Sequence, residues 1–99
     1  MTSPGDPPLV VDLRDREIGD WSDLWDGLVG PLRLPEWFGR NLDAWWDTLG
    51  GGISPVFDYL TPVTIFVRPR GLFAPGAAGE EFVELTNSSD SARVELRDP

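Results

Sequence analysis

A chain of 99 residues suits one domain, and 40% hydrophobic residues with 11% aromatics supply enough apolar material for a packed core. With no Cys and no His, disulfides, thiolate zinc sites, thiol nucleophiles and imidazole bases are excluded, so catalysis would have to rest on carboxylates, hydroxyls or arginine. Seventeen acidic residues against eight basic ones give a net charge of -9, which disfavours nucleic acid and anionic membranes and suits a basic surface, an anion-gripping site, or plain solubility.

The N-terminal stretch 1–8 is polar and rich in Pro and Gly, and reads as a loose tail preceding a single domain over 9–99. It lacks the basic start and apolar run of a secretory signal, and no apolar run approaches the ~20 residues of a membrane span. The expectation is therefore a cytoplasmic chain. Leu9 to Leu13 is a short apolar run that fits a buried strand. Asp20 is a plausible N-cap for a helix whose Trp21, Leu24, Trp25 and Leu28 recur on one face, and Gly30–Pro31 ends it. Gly27 inside that helix should cost about 1 kcal/mol relative to Ala. Leu32 to Gly39 is an aromatic-bearing loop, and Asn41 is the next N-cap. Leu42, Trp45 and Leu49 form an apolar stripe that Gly50, Gly51 and Gly52 cut short. The stretch 53–61 is ambiguous, with room for one helical turn over 56–60. Val63 to Val67 is the clearest strand. A Pro/Gly loop spans 68–79, then a short helix over 80–87 turns Phe82 and Leu85 inward. Ala92 to Leu96 is a last strand, with Val94 and Leu96 on one side. Strands separated by helices favour α/β architecture: a three-stranded parallel sheet against three to four helices, packed through Leu24, Leu28, Leu42, Trp45, Leu49 and Phe82.

The stretch from Leu34 to Gly51, LPEWFGRNLDAWWDTLGG, is the informative one. At about 100° per residue, Leu42, Trp45 and Leu49 cluster on one side. Asp43 and Asp47 share a flank, with Trp46 between the two sets. The two aspartates repel each other by a few tenths of a kcal/mol, and no basic residue shares their face. Such a helix suits an external cation. The plainer reading is that Asp43 favours the helix dipole and Asp47 is merely solvated. Trp21, Trp25 and Trp45 stand at core spacing, whereas Trp37 and Phe38 lie in a loop, where exposed aromatics commonly anchor binding. The glycines after Thr48 do not stand between a strand and a helix, so they do not read as a phosphate loop.

The same stretch resembles the LPEYYG-NLDALWD segment of the barstar family, intracellular inhibitors of guanyl-specific, barnase-like ribonucleases. Pro35, Glu36, Gly39, Asn41, Leu42, Asp43, Ala44, Trp46, Asp47 and Leu49 stand in register. The likeness extends to the first helix, to the strand after Pro62 and to the Phe82–Leu96 end, with a longer connection over 52–61 and a shorter loop after Val67. The resemblance implies that the second helix and the loop before it enter the nuclease active site. Trp37 would stack on the catalytic base. Asp43 would pair with a basic residue at the edge, and Asp47 would take the phosphate subsite. Trp46 would pack beside them and Glu84 would add a second acidic contact. Phe38, Asn41 and Gly51 belong to the same implied surface. The chemistry is substrate mimicry, a carboxylate satisfying donors built to grip phosphate. The resemblance also implies a cis peptide at Thr61–Pro62.

The chain departs from the family at several points. Gly50, Gly51 and Gly52 replace bulkier residues, and Ser88 replaces an acidic one. Phe38 lacks a hydroxyl, and Thr48 and Asp90 stand where the family has cysteines. The expected partner is a guanyl-specific microbial ribonuclease, held by a monomer in a 1:1 complex. No metal, cofactor, nucleic acid or membrane is called for. The all-Arg basic complement, with abundant Gly, Pro and Trp, points to a GC-rich bacterial genome. A variant of this reading is an immunity protein against a rival's nuclease toxin. From other classes come a small hydrolase using Asp43 and Asp47 as a carboxylate pair, for which a convex helix offers no enclosure, and a purely structural domain.

Overall fold

The computed structural model describes residues 9–59 and 62–97. Along the chain run β1 (Leu9–Asp12), α1 (Trp21–Val29), α2 (Leu42–Leu49), α3 (Pro55–Tyr59), β2 (Val63–Val67), α4 (Glu80–Asn87) and β3 (Ala92–Leu96), with a 3-10 turn at Gly71–Phe73. The strands form one parallel sheet in the order β1-β2-β3. Val11 stands opposite Ile65, and Ile65 opposite Val94. The α/β expectation holds, and the turn left open over 56–60 is helix α3. The expected tail over 1–8 and the Thr61–Pro62 peptide lie outside the described residues.

Helices α1 and α2 begin where the sequence supplies a side-chain cap, Asp20 and Asn41, whereas α4 starts after Gly79 without one. Asp20 accepts from the Asp23 N–H at 2.9 Å, and the Asp23 carboxylate accepts from the Gly19 N–H at 3.0 Å. The first bond satisfies one of the donors that a helix start leaves orphaned, and the second ties the residue before the cap back onto the first turn. Gly27 is buried, and a Cβ there would stand 3.2 Å from the Leu13 side chain and 3.4 Å from Arg16 Nε. The loop after β1 packs against α1 through this missing side chain, which answers the propensity cost noted above.

One sheet face is covered and the other is open. Val11, Ile65 and Val94 point into the core with Val63, Val67 and Ala92. On the opposite face Val10, Asp12 and Arg93 are exposed, and Phe66 is half-buried. The fully buried strand expected at Leu9–Leu13 is therefore corrected. β1 is an edge strand that alternates, with Val11 and Leu13 inside and Val10 and Asp12 outside. Leu96 is likewise exposed although Val94 is buried, because it ends the strand.

The helices meet the covered face through a continuous aromatic cluster. Trp25 of α1 touches Trp21, Phe38, Trp45 and Phe82, and Trp45 of α2 touches Phe57 of α3 and Phe82 of α4. Leu24, Leu28, Trp45, Leu49 and Phe82 are buried as expected, but Leu42 is only partly so. On α4 the second inward residue is Thr86 rather than Leu85, which is only partly buried.

Candidate functional site

Helix α2 is anchored at both ends and along its inner face. The Asn41 side-chain oxygen accepts from the Ala44 N–H at 2.8 Å, and its amide donates to the Gly39 carbonyl at 3.0 Å. Both polar ends of Asn41 are thus spent inside the chain, so it positions the helix as well as standing exposed beside it. At the other end the Ser91 hydroxyl, just before β3, donates to the Leu49 carbonyl at 2.7 Å. The Gly51 N–H donates to the Thr48 carbonyl at 3.1 Å. Gly51 takes a φ of 91°, a conformation that side-chain-bearing residues rarely adopt. On the inner face the buried Trp45 indole N–H donates to the Thr86 hydroxyl at 2.8 Å while its ring stacks on Phe82 at 5.1 Å. This bond satisfies the polar groups of both side chains in a place water does not reach.

With the inner face fixed, Asp43, Trp46 and Asp47 point outward. All three are exposed, Trp46 at 46%. Among the described residues, neither carboxylate has an ion-pair partner or a side-chain hydrogen bond. Arg40, nearest in sequence, is turned to Asp26 of α1 at 3.0 Å. Asp43 borders a shallow hollow with Trp21, Leu42 and Glu81, and Trp46 borders another with Gly50, Ser88 and Asp90. Glu81 and Asp90 therefore add negative charge beside the helix, a contribution the sequence reading missed. Glu81 stands four residues before Leu85, on the same face of α4, and borders the hollow that Asp43 also borders.

The loop before α2 separates two neighbouring aromatics. Trp37 is 71% exposed, whereas Phe38 is only 7% exposed, with its ring edge against Trp25 at 5.5 Å. The expectation that Phe38 is a partner contact is corrected on this point: the ring is a core residue that pins the loop. A turn closed by the Phe38 N–H on the Pro35 carbonyl at 3.0 Å sends Trp37 to the outside. Arg33 and Arg40 bracket this loop, both at φ 50°. Left-handed backbone at a non-glycine residue costs of order 1–3 kcal/mol, so the surrounding packing holds the loop in this shape. Glu84 is exposed on α4, but it borders a hollow with Pro69, Phe73 and Leu96 rather than either hollow beside α2. The structure thus brings together Asp43, Trp46, Asp47 and the loop carrying Trp37, and leaves Glu84 to one side.

What this arrangement can do is bind. The two carboxylates stand on a convex, solvent-exposed helix, and among the described residues no group of three or more Asp, Glu, His or Cys could hold a metal ion. No helix among them is long and apolar enough to cross a membrane. An α/β domain with unpaired acids and one exposed indole on a capped helix, and a second exposed indole on the loop before it, offers a surface suited to a protein partner. The chain belongs to the barstar family: the family described as Barstar (barnase inhibitor) matches residues 9–96. It is 30% identical over 90 residues, 91% of this chain and 89% of the relative, to the Bacillus subtilis (strain 168) protein named "Putative ribonuclease inhibitor YrdF". Members of the family are inhibitors, not enzymes, and ribonuclease inhibition in general is the activity this membership supports.

Proposed function

We propose that the chain inhibits a guanyl-specific microbial ribonuclease in the cytoplasm, as a monomer in a 1:1 complex, by laying α2 and the preceding loop across the nuclease active site. The observation that carries the reading is the pair of exposed carboxylates on α2 with no cation of their own among the described residues. A nuclease site built to hold phosphate offers Arg, Lys and His donors, and a carboxylate satisfies them with charge-assisted hydrogen bonds. Asp47 takes the phosphate subsite, Asp43 meets a basic residue at the rim, Trp46 packs beside them, and Trp37 stacks on the catalytic base. The exposed Trp37 and the buried Phe38 suit this division, because an anchor that projects from a pinned loop loses little freedom on binding.

The test is RNA cleavage by a guanyl-specific ribonuclease with increasing amounts of the chain. Inhibition should titrate to one equivalent, and light scattering after size exclusion should give the mass of one copy of each partner. With a basic nuclease the association rate should fall steeply with added salt, since the net charge of -9 steers encounter through a field that salt screens. Full cleavage at excess inhibitor across several such nucleases would reject the proposed target class. A salt-independent association rate with a strongly basic nuclease would reject the steering.

A further inference from the structure

Helices α2 and α4 both end at a hollow of about 390 Å³, on the flank of α2 that carries Trp46. Gly50 and Ser88, the residues that cap the two ends, line it together with Trp46, Ser89, Asp90 and Ser91. Each helix has eight residues, and neither has a basic residue in its last turn. The carboxyl end of a helix carries a partial negative charge that a cation nearby stabilises. Here two such ends meet beside the Asp90 carboxylate, and no basic residue lines the space. Asp90 is exposed, with no ion pair or side-chain hydrogen bond among the described residues.

Most donors around the hollow are already spent. The Ser88 hydroxyl donates to the Leu85 carbonyl at 2.7 Å, the Ser89 hydroxyl to the Thr86 carbonyl at 2.9 Å, and the Ser91 hydroxyl to the Leu49 carbonyl at 2.7 Å. A hydroxyl has one proton, so each of these oxygens is left only to accept. The backbone follows suit. The Gly50 N–H donates to the Trp46 carbonyl at 3.2 Å, the Ser88 N–H to the Glu84 carbonyl at 3.0 Å and the Ser91 N–H to the Ser89 hydroxyl at 3.3 Å. What these residues keep to offer is mostly acceptor, a carboxylate and serine oxygens, beside the half-exposed ring of Trp46. Such a surface suits a group that brings positive charge and many donors. A guanidinium fits on both counts: it has a fork of N–H donors and no acceptor, and its flat face stacks on an indole.

We propose that this hollow takes an arginine side chain of the inhibited nuclease, with its guanidinium on the Asp90 carboxylate and the serine oxygens and its flat face against Trp46. The inference rests on the proposed function, because the hollow continues the outer face of α2 past Trp46 to the end of the helix. A single carboxylate is a poor cage for a metal ion, whereas a guanidinium needs only one for a charge-assisted bond. Asp90 then selects among nucleases. One with an arginine at this edge gains a contact, and one without it leaves the carboxylate and both helix ends facing nothing.

The test uses the full chain and a guanyl-specific ribonuclease that it inhibits. Asp90→Asn should weaken inhibition about tenfold, mostly through faster dissociation. Asp15→Asn makes the same change in net charge on the exposed loop after β1, and should stay within about twofold of the unaltered chain. Ser88→Arg supplies a cation from the chain itself. It should raise the melting temperature, because the helix ends gain a positive neighbour, and weaken inhibition at least as much as Asp90→Asn by filling the hollow. Each exposed arginine of the nuclease is then replaced by Ala and assayed against the unaltered chain and against Asp90→Asn. One replacement should weaken inhibition by the unaltered chain about tenfold and cost the Asp90→Asn variant little more. If Asp90→Asn inhibits as well as Asp15→Asn while Asp47→Ala loses inhibition, this inference is overturned and the role of α2 stands. Full inhibition by Ser88→Arg, or a nuclease with no arginine coupled to Asp90, would overturn it as well. If the unaltered chain inhibits no such nuclease, the proposed function fails and this inference falls with it.

Discussion

The open face of the sheet and the outer face of α2 are both exposed and both charged, yet the chain treats them in opposite ways. On the sheet, Asp12 meets Arg14 at 2.7 Å and Glu95 meets Arg97 at 3.2 Å, each pair two residues apart. The two arginines also lie over Phe66, at 5.2 and 4.8 Å from the ring centre. Parallel sheets are usually covered on both faces. Here the long arginine stems shield the aromatic ring that a second helical layer would otherwise cover, while their heads stay in water. On α2, by contrast, Asp43 and Asp47 have no such partner among the described residues, and Arg40 beside them in sequence is turned to Asp26. These two sheet carboxylates are neutralised by arginines two residues away, whereas the two on α2 have no cation among the described residues.

The strongest way to break this contrast is Asp47→Ala. If the carboxylate reaches the centre of a nuclease site, truncation leaves buried cations unpaired and should weaken inhibition by about 2–5 kcal/mol or more. The ranking of Asp47 first is inherited from the family resemblance. The stability half follows from position: Asp47 is exposed and outside the Trp45–Leu49 contacts, and its loss removes repulsion with Asp43 worth a few tenths of a kcal/mol. The variant should therefore melt at the same temperature as the unaltered chain or slightly above it. Asp43→Ala, Trp37→Ala and Glu84→Ala should cost less inhibition and leave the melt near its starting value. An Asp47→Ala protein that inhibits fully, or one that unfolds, would show that α2 has been misread.

Trp45 and Trp46 sharpen the contrast within one helix. They are adjacent in sequence, but the first is fully buried and bonded to Thr86 while the second is half exposed. Trp45→Phe removes the indole donor, strands a buried hydroxyl and opens a gap, and should lower stability by about 1–3 kcal/mol. Inhibition measured well below the melt should survive. Trp46→Ala should do the reverse, with stability changed by no more than about 0.5 kcal/mol and inhibition weakened. Chemical denaturation beside an inhibition titration separates the two outcomes, and matching losses in both variants would erase the distinction between the faces of α2.

Much of this was legible from spacing alone. The caps at Asp20 and Asn41, the stripe of Leu42, Trp45 and Leu49, and the strand at Val63–Val67 are local signals, and they coincide with the elements found. The outward placement of Asp43 and Asp47 followed from the same periodicity. What sequence could not supply depended on partners distant in the chain or on backbone shape. Nothing local distinguishes Trp37 from Phe38, because Phe38 is buried by Trp25, thirteen residues earlier, and by a turn at Pro35. Arg33 and Arg40 gave no sign of left-handed backbone, since glycine or asparagine is the usual marker. Thr86 reads as a polar helix residue until Trp45 is seen to need an acceptor there. Glu84 matched the family by register, yet register does not say which hollow a side chain borders.

The smallest expected effect probes the sheet side of the contrast. The Arg14 guanidinium, bonded to the Asp12 carboxylate at 2.9 and 2.7 Å, holds that carboxyl well below the usual value of 3.8, at about 2, with help from the Arg14 backbone N–H. A carboxyl whose folded pKa lies below its unfolded one binds fewer protons when folded through the intervening range. Its contribution to stability is therefore fully present above about pH 4 and is lost as pH falls from there through about 2. Asp12→Asn deletes that contribution. The variant should be slightly less stable than the unaltered chain near neutrality, as expected for an exposed pair. It should then lose less stability on acidification, so the two melting curves converge between about pH 4 and pH 2. Thermal melts of both proteins across that range make the comparison directly. Curves that run parallel would mean that the Asp12–Arg14 pair contributes nothing to the fold, and the sheet face would then be no better neutralised than α2.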